Sequence, residues 1–265
     1  MGQPVRKKIA FITRGKNKWP ELKVVGRELD DMDASGHSLQ QDRVDSYFET
    51  DRVALLVGLL LACGCFIAAL RVNTFAADRF FELGQMARSA SDYHDARKYY
   101  SQSGEWGNPN GSYELGMLYF VGLGGEKSIK GAITYHTAAA AGGNPKAMHF
   151  LGNAFYQGEL GTVDFERAIF WYRKAAAANH SESIVKLATM HFNGMGLPKN
   201  MSRGISLFEK ALEKGSPTAA YFLGIASYYG LGVAINRQLS LDYLKQAASK
   251  GNRDALSAIR RLNFD

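Results

Sequence analysis

The chain has 265 residues, 46% of them hydrophobic and 22% charged, with 28 Gly, 6 Pro and 2 Cys, a balance that excludes a wholly disordered or collagen-like polypeptide. Cys63 and Cys65 stand one residue apart, so they supply neither a disulfide framework nor a four-ligand zinc site. The formal charge of +7 is scattered along the chain; a scattered excess aids solubility, and no nucleic-acid partner is expected.

Residues 1–52 read as a mostly disordered tail with a charge split. Arg6, Lys7, Lys8, Arg14, Lys16, Lys18, Lys23 and Arg27 face the single acid Glu21, whereas residues 28–51 carry eight acids against Arg43. The basic block suits anionic lipid or an acidic protein. Val53 to Leu70 then reads VALLVGLLLACGCFIAAL, eighteen residues without a charge between Arg52 and Arg71. As a helix this is roughly 27 Å long, which predicts a transmembrane span whose flanking arginines snorkel to the interfaces. Ten Lys or Arg precede the span, which places the N-terminus in the cytoplasm and the rest outside the inner or plasma membrane. A cleaved, secreted form is the rival, with small residues at Thr74-Phe75-Ala76 for a peptidase; the long mixed-charge leader argues against it.

Beyond residue 71 the dominant signal is a repeat. Leu115, Leu151, Leu187 and Leu223 fall 36 residues apart, as do Gly122, Gly158, Gly194 and Gly230, and Ala139, Ala175, Ala211 and Ala247. A period of this length means stacked supersecondary units. Within each, apolar residues recur at three and four, so each unit is two helices. In the second, Pro145–Gln157 is predicted to bury Ala147, Phe150, Leu151 and Phe155, and residues 165–178 to bury Ala168, Ile169, Trp171, Tyr172, Ala175 and Ala176. Gly158 and its equivalents suit a left-handed residue past a helix end. Gly116, Gly152 and Gly224, with Ala188 in the fourth slot, predict close helix contact. Gly107-Asn108-Pro109, Gly143-Asn144-Pro145 and Gly215-Ser216-Pro217 each order a helix stop, an N-cap and a first-turn Pro. The units are 71–107, a linker with a degenerate unit whose inter-helix loop is shorter, then 108–143, 144–179, 180–215 and 216–251, with a capping helix in 252–265. The fold class is an all-α solenoid of helix-turn-helix repeats preceded by one transmembrane helix.

Leu115-Gly116-Met117-Leu118-Tyr119-Phe120-Val121-Gly122-Leu123-Gly124, with Ala168-Ile169-Phe170-Trp171-Tyr172-Arg173-Lys174-Ala175-Ala176, resembles the Sel-like repeat, a relative of the tetratricopeptide repeat. The match runs from about Pro109 to Gly251, and the shorter unit before it looks closer to a plain tetratricopeptide repeat. His191 and Ser227 depart from the family Tyr, and Gly204 and Ser240 from its Ala. The resemblance implies a right-handed superhelix that binds proteins, often as an adaptor in bacterial envelope processes or membrane-associated quality control, and no reaction.

If the first helices line the concave face, as they do in that family, the groove presents Tyr113, Met117, Phe120, His149, Asn153, Tyr156, Val185, Thr189, Phe192, Tyr221, Ile225, Tyr228 and Tyr229. Aromatic rings with interspersed amides suit an extended or helical peptide. The six histidines show no metal-ligand spacing and there is no phosphate loop, so neither a cofactor nor a metal is expected. His191 is expected to be packed. An enzyme of wall or polysaccharide metabolism is the remaining alternative, built on Asp164, Glu166 and His149. The expected function is that of a membrane-anchored, non-catalytic scaffold.

Overall fold

The computed structural model describes residues 73–262 and 264. The charged tail and the apolar segment from Val53 to Leu70 lie outside the described residues, and no helix among the described residues is long and apolar enough to cross a membrane. Those residues form helices and no strand. The described part of α1 is residues 73–89. It is followed by α2 (Tyr93–Glu105), α3 (Pro109–Val121), α4 (Ile129–Ala141), α5 (Pro145–Gln157), α6 (Phe165–Ala177), α7 (Ser181–Asn193), α8 (Met201–Glu213), α9 (Pro217–Tyr229), α10 (Arg237–Ser249) and α11 (Arg253–Arg261). From α2 to α11 each helix packs on the next and α7 also meets α9, while α1 meets α2 through Phe81 and Tyr100, the serial pattern of a solenoid.

The helix boundaries follow from capping chemistry that repeats with the period. First helices start at Asn108, Asn144, His180, Ser216 and Asn252, whose side chains accept N–H bonds from the first turn. Second helices start at Asp92, Ser128, Asp164, Asn200 and Asn236 in the same way. Asn144 does two jobs: Oδ1 accepts from the Ala147 N–H at 2.9 Å, and Nδ2 donates to Asn110 Oδ1 of the preceding repeat at 2.9 Å. Asn144→Ala is expected to cost about 1–2 kcal/mol in urea unfolding. First helices end at Gly122, Gly158, Gly194 and Gly230, with φ of 89°, 73°, 77° and 71°, where any other residue is strained.

The small residue in mid-first-helix makes room for one large side chain of the second helix. A Cβ added at Gly84 would lie 2.5 Å from the Tyr100 ring, at Gly116 2.9 Å from the His136 ring, at Gly152 2.5 Å from the Tyr172 ring and at Gly224 2.8 Å from Leu244. The contact is therefore helix to side chain, where the sequence pointed to paired backbones. Repeat three trades the small residue between helices: Ala188 takes the glycine slot, and Gly204 replaces the alanine of Ala132 and Ala168. A Cβ at Gly204 would come 3.0 Å from the Ala188 carbonyl oxygen. Tyr100, His136, Tyr172, Phe208 and Leu244 thus form one buried column, none more than 1% exposed.

Four residues predicted to be buried are only half-buried: Phe150, Phe155, Trp171 and Ala176. The three aromatic residues meet partners instead of vanishing into the core. Phe150 stacks on His136 of the preceding repeat (centroids 3.8 Å apart), Phe155 lies under the Arg167 guanidinium (4.9 Å) and Trp171 carries the Lys174 ammonium (5.4 Å). At the far end, α11 closes the array with Ala255 and Ala258 buried. Phe264 packs on the cluster holding them and meets Tyr228 edge-on at 5.4 Å. Phe264→Ala is expected to lower stability by about 1–2 kcal/mol, read as earlier hydrogen-exchange opening of α11.

Candidate functional site: the face of the first helices

Of the side chains expected to line a groove, Tyr229 alone is exposed, at 53%; Val185 is buried at 6%, and the other eleven are half-buried. Apart from Tyr229, they separate into three rows of four. Tyr113, His149, Val185 and Tyr221 pack between adjacent units: Tyr113 against Ala147 and its cluster, Tyr221 against Ala220 and Leu244 and theirs. Met117, Asn153, Thr189 and Ile225 form a second row at the period of 36. The third row is Phe120, Tyr156, Phe192 and Tyr228, continuous with Arg88 of the first unit.

The third row is stitched across the repeats. Arg88 pairs with Glu114, Phe120 meets Phe150 edge-on at 5.0 Å, and Tyr156 lies under the Lys186 ammonium at 5.5 Å and donates its hydroxyl to Met195 Sδ at 3.0 Å. At the next junction Phe222 turns to stack on Phe208, 4.9 Å away and tilted by 17°, while Phe192 meets Phe208 at 6.2 Å. At the last, Phe264 reaches Tyr228.

A hydrogen-bonded chain crosses from repeat two to repeat three. The Tyr172 hydroxyl donates to Asn153 Oδ1 at 2.7 Å, which leaves the Asn153 amide to donate to His149 Nε2 at 3.1 Å. His149 therefore carries its proton on Nδ1 and donates to Ser183 Oγ at 2.9 Å. The Ser183 hydroxyl donates in turn to His180 Nδ1 at 3.1 Å, which also accepts the Ser183 N–H at 3.3 Å as an N-cap. Burial, with His180 and Lys186 nearby, holds His149 down to about 4, and burial lowers His180 as well. Asn153 and His149, expected to hold a peptide backbone, here satisfy each other.

Sequence reasoning passed over His136. It stands 36 residues before Tyr172 and takes that residue's buried slot, which was the available signal. It is 0% exposed, neither ring nitrogen has a hydrogen-bond partner, and burial alone lowers it to about 4. His191 is half-buried with Nδ1 enclosed and unpartnered. Asp164, weighed for catalysis, caps α6: it accepts the Arg167 N–H at 2.8 Å and Arg167 Nε at 2.7 Å, and those bonds hold its carboxyl below the usual range. Among the described residues no three His, Cys, Asp or Glu are grouped to hold a metal ion.

A Sel1 repeat family model matches residues 76–108, 109–144, 145–180, 181–216 and 217–252. The chain belongs to the Sel1 repeat family. The match takes in residues 76–108, the unit that looked closer to a plain tetratricopeptide repeat. A Sel1 repeat protein from Oxalobacter formigenes is similar at 26% identity and a TM-score of 0.65, over 68% of this chain and 75% of that one. A protective antigen of uropathogenic Escherichia coli with an SLR fold is similar in fold, at 24% identity and a TM-score of 0.62, over 68% of this chain and 39% of its own. No curated protein is significantly similar. Sel1 repeat proteins are typically non-catalytic protein-interaction scaffolds, and the described residues of this chain form an all-helical repeat array.

Proposed function

We propose that this Sel1 repeat protein is a membrane-anchored scaffold that binds a protein partner along the concave face of its first helices, in assembly or regulation of a bacterial envelope system. The observation that carries the reading is the row of Met117, Asn153, Thr189 and Ile225, half-buried side chains presented in register by four successive repeats. A partner lying across the units meets one such side chain per repeat, and affinity accumulates along the row. Anchoring rests on the eighteen uncharged residues from Val53 to Leu70, and the orientation on the basic residues before them, with the repeats outside the inner membrane. The basic block of the tail supplies a second contact, to anionic lipid or an acidic protein. A tether at the membrane raises the effective concentration of a partner in the same membrane without added contacts.

Photo-cross-linking from Met117 and Tyr229 in intact cells tests the groove: one partner captured from both positions, and lost from Tyr229 when Met117 and Ile225 are changed to Glu, supports it, while capture from Tyr229 insensitive to those changes overturns it. Protease added to spheroplasts tests the anchor. Digestion of the repeats with the first fifty residues protected is expected; the reverse pattern, or release of the chain by carbonate, removes the membrane part of the reading.

A further inference from the structure

We infer that the notch between α7 and α9 is the groove's specificity subsite, built to receive one aromatic side chain from an extended segment of the partner. The inference rests on the scaffold reading above.

The notch encloses about 140 Å³ and is lined by Thr189, Phe192, Phe208, Phe222, Ile225 and Leu231. Its one hydroxyl is already used, since Thr189 Oγ1 donates to the Val185 carbonyl at 2.9 Å. The lining thus asks for no hydrogen bond, and Asn193 alone adds a polar group, at an exposed helix end. A benzene ring fits an apolar space of roughly 150 Å³, so the volume and the lining of the notch both suit an aromatic or similarly large apolar group.

The notch exists for a local reason. At every other junction of this row the leading side chain is covered: Arg88 by Glu114, Phe120 by Phe150, Tyr156 by Lys186 and Met195, Tyr228 by Phe264. Between repeats three and four, Phe222 stacks on Phe208 as Phe150 does on His136, but whereas Phe150 also meets Phe120 edge-on, the ring that Phe192 meets is Phe208, at 6.2 Å, and the notch lies beside it. The last junction shows how such a space is filled. There residue 258 is Ala, and the ring that covers Tyr228 comes from Phe264, in non-helical chain past the end of α11. A partner segment supplying a ring to Phe192 repeats that arrangement in trans.

The probe is N-acetyl-Leu-Asn-Phe-amide, which copies Leu262, Asn263 and Phe264, with a benzophenone-bearing version for cross-linking to the full-length chain. Adducts are expected within residues 189–193 and 222–226, competed by the Phe peptide and not by its Phe→Ala counterpart. Thr189→Phe fills the notch and is expected to lower adduct yield about tenfold or more, as for loss of one buried aromatic side chain. Asn193→Trp, at an exposed position, covers the mouth without touching the core and is expected to act in the same direction. Adducts elsewhere, equal competition by the Ala peptide, or yields unchanged in both variants overturn the inference. Continued capture of the partner from Met117 and Tyr229 alongside such a failure removes the notch alone; loss of that capture removes the scaffold reading with it.

Discussion

His136→Phe is expected to make the protein more stable at neutral pH and to blunt its loss of stability in acid. The column it joins holds Tyr100, Tyr172, Phe208 and Leu244 at the equivalent places, so an apolar ring suits the space. Removing two buried ring nitrogens that have no partner is worth about 1–2 kcal/mol. The acid effect follows from proton linkage. Burial holds His136 at about 4 against an ordinary 6.5, so between those values the unfolded chain binds a proton that the folded chain refuses. The stabilisation is complete above pH 6.5 and declines as the pH falls towards 4, by roughly 3 kcal/mol for this one group, levelling off below. The groups packed against the ring are Tyr113, Phe150 and Gly116, none of them charged, so nothing nearby offsets the cost of the proton. His149 and His180 are lowered in the same direction and keep part of the acid sensitivity in the variant. Urea midpoints of both proteins at about pH 7.5 and about pH 4.5 measure the difference. An equal acid loss in the two would show that His136 is not the source.

Gly152→Ala is expected to destabilise by about 1–3 kcal/mol, because the new Cβ falls 2.5 Å from a fully buried Tyr172 ring and the ring has no room to give way. That ring also anchors Asn153 and, through it, His149 and Ser183, so the damage extends across the junction to repeat three. Repeat three suggests the remedy, since it combines Ala188 with Gly204 where repeat two has Gly152 with Ala168. Adding Ala168→Gly to Gly152→Ala is expected to recover part of the loss, with a favourable coupling of about 1 kcal/mol. Thermal and urea unfolding of the two single variants and the double variant measure it. A double variant weaker than the sum of its parts would mean that the two helices do not adjust by sliding closer.

The register was legible because identical residues recur at one spacing: Leu115 and Gly122 mark their three equivalents without ambiguity, and Gly143-Asn144-Pro145 marks a joint. What escaped notice was carried by unlike residues at like places. Asp92, Ser128, Asp164, Asn200 and Asn236 share one capping job under three residue types, so that Asp164 was weighed as a catalytic acid. His136 was hidden in the same way by its chemical difference from Tyr172. The face of the first helices was legible as rows of period 36 and not as individual roles, because whether Asn153 meets solvent or His149 depends on rotamers and on the neighbouring repeat, neither of which spacing records. The notch depends on the tilt of one ring, Phe222, which no sequence pattern states.

The exchange of Ala188 and Gly204 for Gly152 and Ala168 also bears on how such arrays can be shuffled. A chimera joining α5 to α8 would set glycine opposite glycine and leave a void; joining α7 to α6 would set alanine opposite alanine and force the pair apart. Recombination is therefore tolerated where a whole hairpin is inherited together, and crossovers inside the Gly158–Asp164 or Gly194–Asn200 connections are expected to be purged.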